Sequence, residues 1–280
     1  MAFRKLTDFI QEDVIVAMIK DKLEKKAVAR NVVDVKTQAQ LGFGSSYKVP
    51  GVGSLTVNNY NGVSIVPEDA TSTGAIITLD SYPYVSFYLE DSDITEANAL
   101  SVAGAWANEA ATRIALSQDA GVFTKLATGA TAGVGLGVAG TPIVIADAQD
   151  ALDYVEKFAD NLRSANIDEG SIVVPAFIGV KLVSAIGTLG RNDMLASALG
   201  TGFVGKLFGF DIFESNNLPV AGAEITMVGG KKNTFQLIDG LTIVKSGDSE
   251  NRPATWNQYG QVYGAGYSNT AGFIKGTVSR

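Results

Sequence analysis

Four short stretches of the chain have residue types and spacings that could do chemistry. Gly135-Leu136-Gly137-Val138-Ala139-Gly140 has the G-x-G-x-x-G spacing of a dinucleotide-binding turn. That chemistry needs a strand before the turn and a helix opening at its third glycine, so that a pyrophosphate meets the helix N-terminus. Here a helical pattern comes first and the strand-like Ile143 to Ile145 follows, so chance in a chain with 31 glycines is the better account. Gly200 to Lys206 matches G-x-x-x-x-G-K, but a phosphate-binding loop then needs Ser or Thr to hold magnesium. Leu207 stands there instead, which leaves a loop before a strand. Asp91-Ser92-Asp93 hints at calcium without the full ligand loop that calcium requires. Lys231-Lys232 follows Gly229-Gly230 and reads as a charged turn.

What is missing narrows the chemistry further. The 280 residues include no histidine and no cysteine. That excludes histidine-based triads, thiolate nucleophiles, disulfides and histidine- or thiolate-bound zinc. An enzyme would have to work with carboxylates, Lys, Tyr or Ser, and the expectation is a chain with no catalytic, metal or cofactor site. Formal charge is −7, unevenly spread: residues 1–36 hold eight Lys and Arg against six Asp and Glu, and the remainder holds 14 against 23. An acidic body with a faintly basic arm does not read nucleic-acid sequence, although it could line a container of nucleic acid. Residues 1–5 are charged, but no apolar run of signal-peptide length follows. The most membrane-like stretch, residues 126–146, is broken by five glycines and a proline and reads as a glycine-rich loop entering a strand.

The elements that would position these residues are mixed. Residues 3–30 have helical periodicity, with Phe9, Val14, Val16, Ile19 and Leu23 on a partly apolar face. They read as an arm that packs on neighbours more than on its own core. Residues 41–66 carry Gly42, Gly44, Gly51, Gly53 and Gly62 with strand alternation at Tyr47/Val49 and Leu55/Val57, which predicts a long hairpin, either a surface hairpin of an ordinary domain or an arm reaching onto another subunit. Residues 74–90 read as strand. A capping-box pair, Asp93 and Glu96, then opens a helix running to about Leu126, long for a globular protein. Residues 147–166 form the clearest amphipathic helix, and Ile172 to Val174 a buried strand ending at Pro175. Residues 177–186 predict a helix, 187–205 a loop with a short helical piece near Met194, and 208–213, 224–228, 235–238 and 241–244 strands. Residues 256–278 alternate as in sheet. No regular βαβ alternation appears, so the fold class is α+β.

Three stretches, in order, resemble the tailed-bacteriophage major capsid proteins of the Hong Kong 97 type fold. They are Ile76-Ile77-Thr78-Leu79 with Val85-Ser86-Phe87-Tyr88-Leu89-Glu90 leading into the long helix; GSIVVPAFIGVKL from Gly170 to Leu182; and GKLFGFDIFESNNLP from Gly205 to Pro219. The resemblance implies an N-terminal arm over residues 1–36, an extended loop over 37–80 and a peripheral domain with a spine helix over 81–127. An axial domain over 128–251 and a return to the peripheral domain over 252–280 complete it. It implies a virion shell protein assembled in the host cytoplasm. Copies of itself in hexamers and pentamers would be its partners, with scaffolding, portal and decoration proteins as further candidates. It would enclose DNA without reading its sequence and would not engage a membrane. Tyr47, Lys48, Val49, Leu55, Val57 and Tyr60 are the expected inter-subunit contacts, and residues 37–80 are expected to add little to the subunit's own folding. The rivals are an encapsulin-type cargo shell of the same fold, a nucleotide-dependent enzyme using Gly200 to Lys206, and a tail-tube subunit.

Overall fold

Alanine and small residues at three- and four-residue steps make one helix the axis of the molecule. In the computed structural model, which describes residues 12–49, 74–90, 99–188, 203–249, 254–268 and 272–280, this helix runs from Ala99 to Gly129. Its buried stripe is Ala107, Ala110, Ala111, Ile114 and Ala115, then Gln118 and Asp119, then Val122, Phe123 and Leu126. That is the i, i+3, i+4, i+7 rhythm of a helix with one face inward. At ~1.5 Å per residue such a helix spans roughly 45 Å, enough to join two separate cores. Its last turn is held from outside: the Lys275 ammonium donates to the Ala127 carbonyl at 2.8 Å, and the Tyr267 hydroxyl to that of Leu126 at 2.6 Å. Gly121 lets strand and helix approach closely, since a Cβ there would sit 2.1 Å from the Tyr263 hydroxyl.

Preceding the spine are helices α1 (Glu12–Lys26) and α2 (Ala29–Val32) and strands β1 (Asp34–Thr37), β2 (Ser46–Val49), β3 (Ala75–Thr78) and β4 (Tyr84–Glu90). The spine is α3. After it come β5 (Thr131–Ala132), β6 (Ile143–Val144), α4 (Ala148–Ser164), β7 (Ser171–Val174), α5 (Ala176–Thr188), β8 (Phe203–Leu207) and β9 (Phe210–Glu214). The chain closes with β10 (Val220–Ala221), β11 (Glu224–Gly230), β12 (Phe235–Asp248), β13 (Ala254–Tyr267) and β14 (Phe273–Ser279). One sheet has the order β1-β12-β13-β4; a second, larger one has the path β5-β14-β11-β7-β9-β8, with β10 beside β11 and β6 beside β14; and β2 and β3 form a two-stranded sheet. Helices α4 and α5 cover one face of the larger sheet through Tyr154, Val155, Phe158, Leu162, Ile178 and Leu182. The C-terminal half of the spine packs with Val173 and Val228 of that sheet and Phe235 and Leu237 of the smaller one. Helix α4 opens on the reciprocal capping box of Asp147 and Asp150, which satisfies amides at its first turn.

Several elements differ from the sequence expectation, each for a physical reason. The N-terminal helix does not reserve its apolar face for neighbours. Ile15, Ile19 and Leu23 are fully or almost fully buried against Ala107, Ala110, Ala111 and Ile114 of the spine, with Val244 and Tyr259 beneath. Small residues on the spine let that helix settle close to it. Residues 34–37, split between arm and loop by the expected boundary, pair in parallel with Gln236 to Asp239 as a sheet strand. The break read between 238 and 241 is likewise internal to one strand. β12 runs through Gly240 with a bulge, because the Leu241 amide turns to donate to the Leu41 carbonyl. The strand read from 208 starts at Phe210, because Phe208 and Gly209, with φ of 51° and 88°, form a tight turn, and residues 203–207, read mostly as loop, supply the other strand of that hairpin. β12, expected in the axial domain, pairs in the smaller sheet, and β14, expected with the peripheral domain, lies in the larger one. The Asp93–Glu96 capping pair, Gly62 and the piece near Met194 lie outside the described residues.

The packing of α1 makes a direct prediction. Ile19→Ala removes a fully buried side chain from the contact with the spine and should destabilise the isolated subunit by about 2–5 kcal/mol. Chemical denaturation measures this. A value near zero would return the segment to the role of an arm without a place in its own core.

Candidate assembly surfaces and the junction behind them

Of the six residues expected between subunits, the described structure places three. β2 pairs antiparallel with β3, matching Tyr47 with Ile77 and Lys48 with Ile76. Side chains alternate across such a pair. Tyr47, Val49 and Ile77 therefore turn inward, and Val49, Ile77 and Leu79 are buried against Ile238 and Val262. Val49 is thus a core residue and is not free for a neighbour, and residues 37–80 do contribute to their own subunit's core. Lys48 and Ile76 turn outward; Ile76 is 70% exposed and Phe43 nearby is 66% exposed. Leu55, Val57 and Tyr60 lie outside the described residues.

Sequence reasoning missed two further apolar surfaces. On β4, an edge strand of the smaller sheet, Val85 and Phe87 face the spine, while Tyr84 and Tyr88 are at least half exposed on the opposite face. Tyr82 and Tyr84 stack at 5.7 Å, and Trp256 lies directly across from Tyr88. On the other side of the sheet, Trp106 of the spine stacks on Phe87 at 5.5 Å and is half exposed. The alternation in Tyr84-Val85-Ser86-Phe87-Tyr88 was the available signal: every residue on the outer face carries an aromatic ring or a hydroxyl. The second surface is the glycine-rich connection after the spine, where Val134, Val138 and Val144 are exposed, with Val220 exposed on β10.

The rejected motifs have equally definite positions. Gly135, Gly137 and Gly140 have positive φ in a loop that leads to the short β6, with no helix N-terminus to receive a pyrophosphate. Lys206 lies within β8, so no helix opens after the glycine-lysine pair. Among the described residues, no three carboxylates converge as a metal site, and no helix is long and apolar enough to cross a membrane.

Behind these surfaces a polar junction joins the two cores. Asp119 on the spine is fully buried. One of its carboxylate oxygens accepts from the Ala29 amide at 2.6 Å; the other accepts from the Ser215 hydroxyl at 3.2 Å and the Asn217 amide group at 2.9 Å. Its neighbour Gln118 donates to Asp239 at 2.9 Å, and Asp239 pairs with Arg30 at 2.6 Å. One turn of the spine thereby holds α2, β12 and the segment after β9. Burial pushes the Asp119 carboxyl above its ordinary pKa, against the pull of its three donors.

No protein-family model matches the chain, and no curated protein matches it by sequence. Solved structures do. A chain from Mycobacterium phage Che8 is 23% identical, with a TM-score of 0.62 over 83% of this chain and 84% of that one. The capsid of the cyanophage P-SCSP1u aligns at 17% identity and a TM-score of 0.61 over 90% and 88%. A virus-like particle from Pyrococcus furiosus aligns at 10% identity and a TM-score of 0.54 over 95% and 99%. The chain therefore has the fold of phage capsid chains, an α+β fold.

The junction has a pH signature. Because the folded-state pKa of Asp119 lies above the unfolded one, the protonated form is favoured in the fold. This contribution is complete below the ordinary carboxylate range and is lost as pH rises through the raised value. The stability advantage of the parent over Asp119→Asn should therefore narrow with rising pH, as followed by denaturation at a series of pH values. Asp119→Ala, which orphans three donors, should cost about 3–5 kcal/mol.

Proposed function

We propose that the chain is the major capsid protein of a tailed phage. It self-assembles through hexamers and pentamers into an icosahedral shell enclosing double-stranded DNA, and it carries no catalytic site. The observation that carries this reading is the likeness in fold to phage chains, the P-SCSP1u capsid among them, over nearly the whole length. In this reading the smaller sheet and the spine are the peripheral domain. The larger sheet with α4 and α5 is the axial domain, and its exposed valines face a symmetry axis. The segment from β2 to β3 is the extended loop, its base locked into its own subunit by Val49 and Ile77 and its outer part covering a neighbour. Lys48, and Leu55, Val57 and Tyr60 further along, make those contacts, joined by Ile76 and by Tyr84 and Tyr88 of β4. Each buried apolar surface would contribute ~25 cal/mol per Å², and a closed shell repeats every contact many times.

The acidic chain encloses DNA without adhering to it, since a net charge of −7 repels phosphate. Assembly takes place in the host cytoplasm, with scaffolding, portal and decoration proteins as further partners. A second reading has a specific support: the virus-like particle from Pyrococcus furiosus aligns over 99% of its own chain. A cargo compartment would package a protein in place of DNA, so the contents of purified particles separate the two.

The base and the outer part of the loop make different predictions. Replacing residues 51–73 with a short Gly-Ser linker should leave thermal unfolding of the subunit nearly unchanged while abolishing stable particles in light scattering. Val49→Ala should lower subunit stability by about 1–3 kcal/mol. Normal particles from the shortened chain would remove the assembly role assigned to the loop.

A further inference from the structure

A cleft of about 390 Å³ lies where the margin of the larger sheet meets α2 and the turn after β11. We infer that it is a binding site for a phosphate-class oxyanion. Strand register builds its floor. Lys206 pairs with Asp211, Asp211 with Ser171, and Ser171 with Gly230, so these positions form one row across four strands on a common face. Asn31 of α2 and Lys231, Lys232 and Asn233 of the turn form the walls.

Two observations point to a ligand and to its charge. The Ser171 hydroxyl is sealed from solvent with no hydrogen-bond partner, in a residue only 5% exposed. An unsatisfied buried hydroxyl is destabilising, a loss that an oxygen-bearing ligand would relieve. Lys206, Lys231 and Lys232 all line the cleft, and none forms an ion pair with a described residue, although Asp211 and Glu169 line it too. Three ammonium groups against two carboxylates leave a positive excess in an otherwise acidic chain. The amides of Asn31 and Asn233 add neutral donors. A tetrahedral oxyanion can accept from several walls and the floor at once, which a planar carboxylate does less well. Metal binding is the poorer fit, with three cations around only two carboxylates. The glycine at position 230 matters here, since a Cβ would strike the Gly272 carbonyl oxygen at 2.2 Å and force the row apart. This site is independent of the assembly reading.

The test is calorimetric titration of the full chain with inorganic phosphate at constant ionic strength, because free salt screens exposed lysines. Saturable binding is expected. The Lys231→Ala/Lys232→Ala double variant, at exposed positions that leave the fold intact, should bind about tenfold more weakly. Ser171→Ala should also weaken binding while leaving thermal stability equal or higher, since it deletes an unsatisfied group; a purely structural serine would not separate the two readouts. Displacement of phosphate by a short DNA duplex would assign the site to backbone phosphate, and its failure to a free oxyanion. Absence of saturable binding, identical binding in all variants, or equal competition by acetate would overturn the proposal.

Discussion

The arrangement of the whole subunit depends on a polar interruption in one apolar stripe. The spine helix is alanine-rich where α1 packs on it, and it carries Val122, Phe123 and Leu126 where the two sheets meet. Between those cores it places Gln118 and Asp119, both fully buried. Apolar packing alone discriminates less sharply among registers that keep the same face inward. A buried carboxylate with three donors has one position in which all are satisfied, because a displaced donor is left unpaired at a cost of about 1–3 kcal/mol. Arg30 and Asp239 add a second such constraint one residue away. The junction therefore fixes the register of the spine against α2, β12 and the segment after β9 together.

In the proposed shell the subunit presents several surfaces at once, and that constraint then matters. The outer face of β4, the valines after the spine and the β2–β3 hairpin lie on different elements. Heterologous contacts close into a shell only if the angles between such surfaces are held. A rigid junction in the centre does this for all of them. The base of the hairpin is fixed in the same way, since Val49, Ile77 and Leu79 pack on Ile238 and Val262, and Ile238 adjoins Asp239 in the same strand.

Much of this was legible in the residues. The spine, α4 and the buried strand Ile172 to Val174 follow from residue pattern, as does the α+β class. The burial of α1 was not legible, because its partner stripe is mostly alanine, a residue that announces neither a core nor a surface. The single long β12 was hidden by Asp239-Gly240, which has the composition of a turn but forms a bulge over Leu41. Tyr47 and Lys48 could be placed on a hairpin from alternation, yet their strand partner lies almost thirty residues away, beyond the second alternating pair at Leu55 and Val57. The polar junction could not be read at all, because Gln118-Asp119 has the composition of an exposed pair. Only the positions four residues before and after show that they fall on the buried face.

The central claim is that this subunit closes into a shell, and cryo-electron microscopy of the purified full chain, expressed with any scaffold it requires, tests it most directly. The account predicts closed icosahedral particles, with Ile76, Tyr84 and Tyr88 covered at inter-subunit contacts and Asp119 still buried within each subunit. Uniform monomers, or open tubes and rings under every such condition, would contradict it.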